Sequence, residues 1–296
     1  MSLQMDPEEF NYPENFYEEE IDNCYKGMGG REEIFFEPLE IEGSPVIEDV
    51  VGTSRKFIED FVLSKNNEKV YESMGIQPDK TFLLAGKPGT GKTMAIKALN
   101  NSLNREIFEV ISKLRKGNYN SIDTSKIGEE KLLVLPYDIG KYGTAYINEG
   151  SRRVESFFEF AYDCAERGSV LISVDEADVL FGSRKNNSSE HKEDNKVLET
   201  FMKNLQISHD TPGIHVVLMS NLPELCDEAS LRAGRIDKRY KFELPNLEER
   251  MNAYEKMINK KNKNAGYMVV RGYDLEKLGE ISEGFSYADI NQTIEQ

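Results

Sequence analysis

Eight residues, GKPGTGKT at positions 86–93, limit what this chain can fold into more than any other stretch. They follow the apolar run TFLLA and precede a segment in which Ala95, Ala98 or Leu99, and Leu103 recur at helical spacing. A strand therefore runs into the loop and a helix leaves it. Glycines let successive backbone N–H groups point inward around an anion with no Cβ in the way, and a helix N-terminus adds partial positive charge. With glycine at about 7% of residues, a chain of this length is expected to match G-x-x-x-x-G-K-[ST] by chance only about 0.01 times. The loop is therefore read as a phosphate cradle, with Gly86, Gly91, Lys92 and Thr93 at the four fixed places.

Polyphosphate with a divalent cation is the chemistry such a loop serves, so ATP and Mg²⁺ are the expected ligands. Pro88, Gly89, Thr90, Gly91, Lys92 and Thr93 are the candidate nucleotide contacts. Lys92 reaches the β- and γ-phosphates, and Thr93 places its hydroxyl on the Mg²⁺ between them. A second apolar run, SVLISV, closes on Asp175 and Glu176, where ligands bind in open α/β sheets. Adjacent residues point to opposite faces, which divides the work. Asp175 holds the metal through water, and Glu176 orients and polarises the water that attacks the γ-phosphate. A third run, IHVVLM, closes on Ser220 and Asn221, and Asn221 is suited to hold that water or to sense the γ-phosphate. Strands alternating with helices predict an α/β domain, a parallel sheet sandwiched by helices. After KFELPNLEER the pattern is helical to the end, which predicts a small α-helical lid, incomplete at Gln296.

The motifs together resemble the AAA family of ATPases. GKPGTGKT is similar to that family's first nucleotide motif, VLISVDEAD to its second, VVLMSN to its first sensor, and LCDEASLRAGRIDKRYKFELPNLEER to its second region of homology. They come in the family's order, and the resemblance runs from about Val46 to the end. It implies further contacts. Asp49 and Gly52 in EDVVG match positions that frame the adenine, and EGFSYADI matches the lid stretch that closes over the base, which adds Ala288. The family usually has glycine where Tyr287 stands, and normally an apolar residue where Ser173 stands. Arg232 and Arg235 in LRAGRID match arginines that act on the γ-phosphate bound by a neighbouring subunit, which implies a ring-shaped homo-oligomer, usually of six members. In members that thread polypeptides, an aromatic-hydrophobic-glycine loop faces the central pore. TAYINEGSRRV aligns with it and places Tyr146 and Ile147 at the gripping positions, with Asn148 where glycine is expected; Tyr142-Gly143 offers a second register.

Composition narrows the setting. The chain of 296 residues carries a net charge of −16, and residues 1–45 hold thirteen Asp or Glu against Lys26 and Arg31, so eleven of the sixteen charges fall there. Residues 1–45 are read as an acidic tail, disordered or loosely docked, 46–245 as the ATPase domain and 246–296 as the start of the lid. Neither part supplies the basic face of a nucleic-acid binder. No apolar run approaches the ~18 residues of a membrane span, and MSLQMDPEEF has no signal-peptide pattern, so a cytoplasmic protein is expected. Cys24, Cys164 and Cys226 form no C-x-x-C pair, and His191, His209 and His215 fall in no metal-ligand spacing and read as surface or loop residues. Two functions remain open from sequence: a motor that unfolds or threads a polypeptide, and a nucleotide-gated assembly or nucleic-acid-associated module. The stretch from Asn104 to Lys131 is longer than the family places there, and either decorates the surface or binds a partner.

Overall fold

The computed structural model describes residues 39, 40, 42, 44–105, 132–137, 149–166, 168–178, 192–226 and 236–295. Five strands, β1 (Thr81–Gly86), β2 (Leu132–Tyr137), β3 (Ser169–Val174), β4 (Ile214–Ser220) and β5 (Lys238–Phe242), form one parallel sheet in the order β2-β3-β4-β1-β5. The inner strands β1, β3 and β4 are apolar almost throughout because helices cover both faces. The outer strands differ in composition for the same reason. Edge strand β2 accepts Pro136, whose missing N–H costs no ladder bond on its open side, and edge strand β5 accepts Lys238, Arg239 and Lys241. Strand β5 is absent from the sequence reading: only Tyr240 and Phe242 turn inward, too short an alternation to stand out among the charges.

On one face, α1 (Gly52–Asn66) and α3 (Lys92–Leu103) pack Phe57, Ile58, Phe61, Ala95 and Leu99 onto Phe82, Leu84 and Val217. The short α2 (Glu68–Ser73) follows α1. On the other face, α4 (Glu149–Ala165) and α5 (Lys192–Asp210) bring Val154, Phe157, Phe158 and Phe201 onto Leu83, Ile172 and Leu218. Alternate residues of each strand thus feed opposite cores. A separate helical unit follows: α6 (Leu247–Ala265), α7 (Leu275–Ile281) and α8 (Tyr287–Glu295), packed around Ala253, Tyr254, Ile258 and Ile290. Helix α6 starts at a capping box, Asn246 Oδ1 accepting from Glu249 N and Glu249 Oε2 from Asn246 N, each at 3.0 Å. Buried Arg250 joins α6 to α7 by donating to the carbonyls of Pro245 and Gly279, both at 2.9 Å.

Of residues 1–45, only 39, 40, 42, 44 and 45 are described, and they are strapped to the sheet domain. Leu39 N donates to Val134 O at 2.8 Å, while Asn100 and Asn101 of α3 hold the carbonyls of Leu39, Glu40 and Pro45 and the N–H of Glu42.

His215 corrects the sequence reading. It lies on β4, fully buried, its ring 5.1 Å from that of Phe61, and among the described residues neither ring nitrogen has a hydrogen-bond partner. His209 is also largely covered, with Nε2 at 3.1 Å from Asp237 Oδ1. Burial pushes the His215 pKa down to about 4, against the pull of Glu68 and with the help of Lys80. The unfolded chain takes up a proton below its ordinary value near 6.5, while the folded state refuses it until about 4. This contribution to stability is whole above about pH 6.5 and drains away as pH falls towards 4. In urea titrations at about pH 7 and about pH 4.5, wild type is expected to lose about 2–3 kcal/mol more than His215→Leu. Equal losses in the two proteins would contradict this reading of the site.

Candidate functional site

Because β4 lies between β1 and β3, the carboxyl ends of these three strands carry the glycine-rich loop, the acidic pair and Asn221 to one place. They line a cleft of about 880 Å³ that includes Pro88, Gly89, Gly91, Lys92, Thr93, Asp175, Glu176 and Asn221. Lys92, the first residue of α3, is only 7% exposed, and its Nζ donates to Gly86 O at 2.6 Å, Lys87 O at 3.0 Å and Asn221 Oδ1 at 3.0 Å. Burial lowers its pKa, while Asp175 and Asp178 hold it up. One ammonium thus spans the loop and the end of β4.

The turn after β3 has its own strain. Glu176 has φ of 52°, a left-handed backbone in a residue with a Cβ, which costs on the order of 1 kcal/mol. Bonds on either side hold it there. Asp175 Oδ1 accepts from Glu176 N at 2.8 Å, and Ala177 N donates to Met219 O at 2.8 Å. Ser220 Oγ donates to Asp178 Oδ1 at 3.2 Å, which ties the turn to β4. Both Asp175 and Glu176 remain exposed to the cleft.

The loop fits a phosphate group. Gly91 has φ of 98° and caps α3, so the first N–H groups of that helix open towards the cleft with no side chain in front of them. Thr90 is buried, its hydroxyl donating to Lys87 O at 2.7 Å, and it stands behind the loop rather than on the cleft wall. Gly86 allows β1 and β5 to meet, since an added Cβ would stand 2.1 Å from Phe242 O. Among the described residues, no group of three His, Cys, Asp or Glu could hold a metal ion. Thr93 and Asp175 suit a cation that takes most of its ligands from phosphate and water, as Mg²⁺ does.

The family model for the ATPase family associated with various cellular activities (AAA) matches residues 82–244, more than half of the chain. The chain belongs to the AAA family. This AAA chain is 28% identical over 229 residues to the proteasome-activating nucleotidase of Thermococcus kodakarensis, covering 77% of this chain and 48% of that one. The match to the Pyrococcus furiosus protein of the same name has the same figures. That of Methanothermobacter thermautotrophicus is 27% identical over 258 residues, covering 85% and 54%. The chain spans about half the length of the curated relatives it matches.

Within the AAA cleft the remaining expected residues fall into three groups. Asp49 and Ala288 line it on the side of the helical unit. The Asp49 carboxylate is engaged in shaping the strap, accepting from Val46 N at 3.0 Å and Ser44 Oγ at 3.3 Å. Gly52 stands behind the wall, at the N-terminus of α1 with φ of 58°, where an added Cβ would meet Glu249 Oε1 at 2.4 Å. Tyr146, Ile147, Arg232 and Arg235 lie outside the described residues, as do Tyr142, Asn148, residues 1–38 and 106–131. The structure adds Asp178, Lys256 and Lys260, which sequence reading missed. Lys256 donates to the carbonyls of Glu48 and Val50, and Lys260 to Ser44 Oγ, so α6 holds the strap along one rim of the cleft. The signal of the two lysines was only a lysine-rich helix face, indistinguishable from ordinary solvation.

Proposed function

We propose that this chain is a subunit of a ring-shaped homo-oligomer, hexameric and cytoplasmic, that hydrolyses ATP to unfold or thread a polypeptide. One observation carries the nucleotide reading: the Lys92 ammonium, Asn221 and the Asp175–Glu176 pair meet on a single cleft whose floor is the N-terminus of α3. Bound Mg²⁺, held by Thr93 and Asp175, would neutralise charge on the β- and γ-phosphates. The loop N–H groups and Lys92 bind and orient the phosphates. Glu176 orients the attacking water and draws on its proton, and Asn221 fixes its position. Arg232 and Arg235 reach the site of the next subunit and add positive charge as the γ-phosphate leaves. Residues 46–245 form the hydrolytic unit and 246–296 the lid.

A polypeptide client is favoured over nucleic acid because the relatives are named as activators of a proteasome, and because the net charge is strongly negative. Tyr146 and Ile147 grip that client by contact area rather than by sequence. The test is ATP-dependent unfolding of a tagged model client, with hydrolysis recorded in the same tube. In Tyr146→Ala, client unfolded per ATP consumed is expected to fall at least ~10-fold, since each ring in the pore forfeits on the order of 1 kcal/mol of contact. Tyr142→Ala checks the other register. Unfolding per ATP equal to wild type in both variants would remove the pore-loop assignment, and a wild type that never engages a polypeptide would favour a nucleotide-gated assembly.

A further inference from the structure

Tyr287 opens α8, at a position where the family usually has glycine, and its side chain stands between the helical unit and the sheet domain. On one side it packs against the apolar cluster of the helical unit that holds Ala253, Tyr254, Ile258 and Ile290. On the other side it reaches the sheet domain at two glycines. An added Cβ at Gly91 would stand 3.8 Å from Tyr287 Cδ2, and one at Gly52 would stand 3.3 Å from Tyr287 Oη. The neighbouring residues hold the same loop: Ala288 N donates to Gly89 O at 3.3 Å, and an added Cβ at Gly89 would stand 2.6 Å from Ser286 Oγ.

Residues 286–288 therefore clasp the phosphate loop at Gly89 and Gly91, and Tyr287 also reaches the start of α1 at Gly52. The ring is a partition as well. Tyr287 lines both the large cleft and a second, polar cleft of about 190 Å³ bounded by Thr90, Asn246 and Glu249. Both left-handed glycines it faces, Gly52 and Gly91, have no side chain that could fill the space if the ring were removed. Burial, and then Glu249, raise the phenol pKa, so the hydroxyl is neutral.

We propose that Tyr287 is a positioning residue that locks the helical unit onto the phosphate loop, and so sets how fast nucleotide leaves the cleft. The second half rests on the nucleotide reading above; the first does not. Hydrogen exchange on the nucleotide-free protein tests the lock alone. In Tyr287→Gly, amides of residues 88–94 and 287–295 are expected to exchange at least ~10-fold faster than in wild type, while Tyr287→Phe stays close to wild type. Tyr287→Leu, which keeps apolar packing on α6, serves if the glycine variant is poorly folded, and is expected to lie between them. Unchanged protection in a folded Tyr287→Gly or Tyr287→Leu protein would overturn the proposal.

The second arm is dissociation of a fluorescent ADP analogue, expected to be about 10-fold faster in Tyr287→Gly and near wild type in Tyr287→Phe. Equal dissociation rates with loosened amides would remove the control of nucleotide release and leave the lock. Failure of wild type to bind the analogue would instead remove the nucleotide reading.

Discussion

Lys92→Met is expected to weaken ATP binding at least ~100-fold, because charge-assisted bonds of about 1.5–3 kcal/mol each are lost at two or more phosphate oxygens. The structural basis is the position of the ammonium. It is 7% exposed, bonded to Gly86 O, Lys87 O and Asn221 Oδ1, and stands at the start of α3 where an anion meets the helix N-terminus. Methionine keeps the apolar part of the buried stem and deletes the ammonium with its three hydrogen bonds, so the apolar packing against the loop survives. Lys92→Ala removes the stem as well and is expected to bind no more tightly. Calorimetric titration with ATP reads the effect, and an unshifted affinity in a folded Lys92→Met protein would remove the loop from the site.

Glu176→Gln is expected to act on the other half of the reaction. Glutamine has the same shape and can occupy the left-handed turn at φ of 52° with the bonds around it intact. It cannot take up a proton from water. Nucleotide affinity should therefore stay within a few-fold of wild type, while turnover falls by ~10²–10⁴, the range for losing a general base. Phosphate release under saturating ATP measures it. Full turnover in Glu176→Gln would move the base elsewhere, and Asp178, tied to Ser220 at 3.2 Å, would be the first residue to test.

The parts of this site that are local in sequence were legible, and those made by distant segments were not. Gly86 through Thr93, Asp175, Glu176 and Asn221 each sit at the end of an apolar run, and their types alone state an anion cradle, a pair of acids and a neutral polar group. The alternation of strand and helix likewise foretold a parallel α/β sheet. Strand β5 escaped because an edge strand tolerates Lys238, Arg239 and Lys241, which look like a solvated turn. His215 was misread because nothing in IHVVLM distinguishes a polar residue facing solvent from one sealed beside Phe61. The packing at Gly52 was equally out of reach of sequence: a Cβ there would meet Glu249 and Tyr287, nearly two hundred residues or more further along the chain. The clasp at residues 286–288 depends on the same long-range meeting, so a departure from the family at Tyr287 could be seen in sequence while its contacts could not.

ATP labelled in its γ-phosphate, followed for binding and for phosphate release on the same preparations of wild type, Lys92→Met and Glu176→Gln, tests the central assignment most directly. Wild type should bind and release phosphate, Glu176→Gln should bind and hold the label, and Lys92→Met should do neither. Retention of the label by Lys92→Met at the wild-type level, or release by Glu176→Gln at the wild-type rate, would contradict the assignment of this cleft as the hydrolytic site.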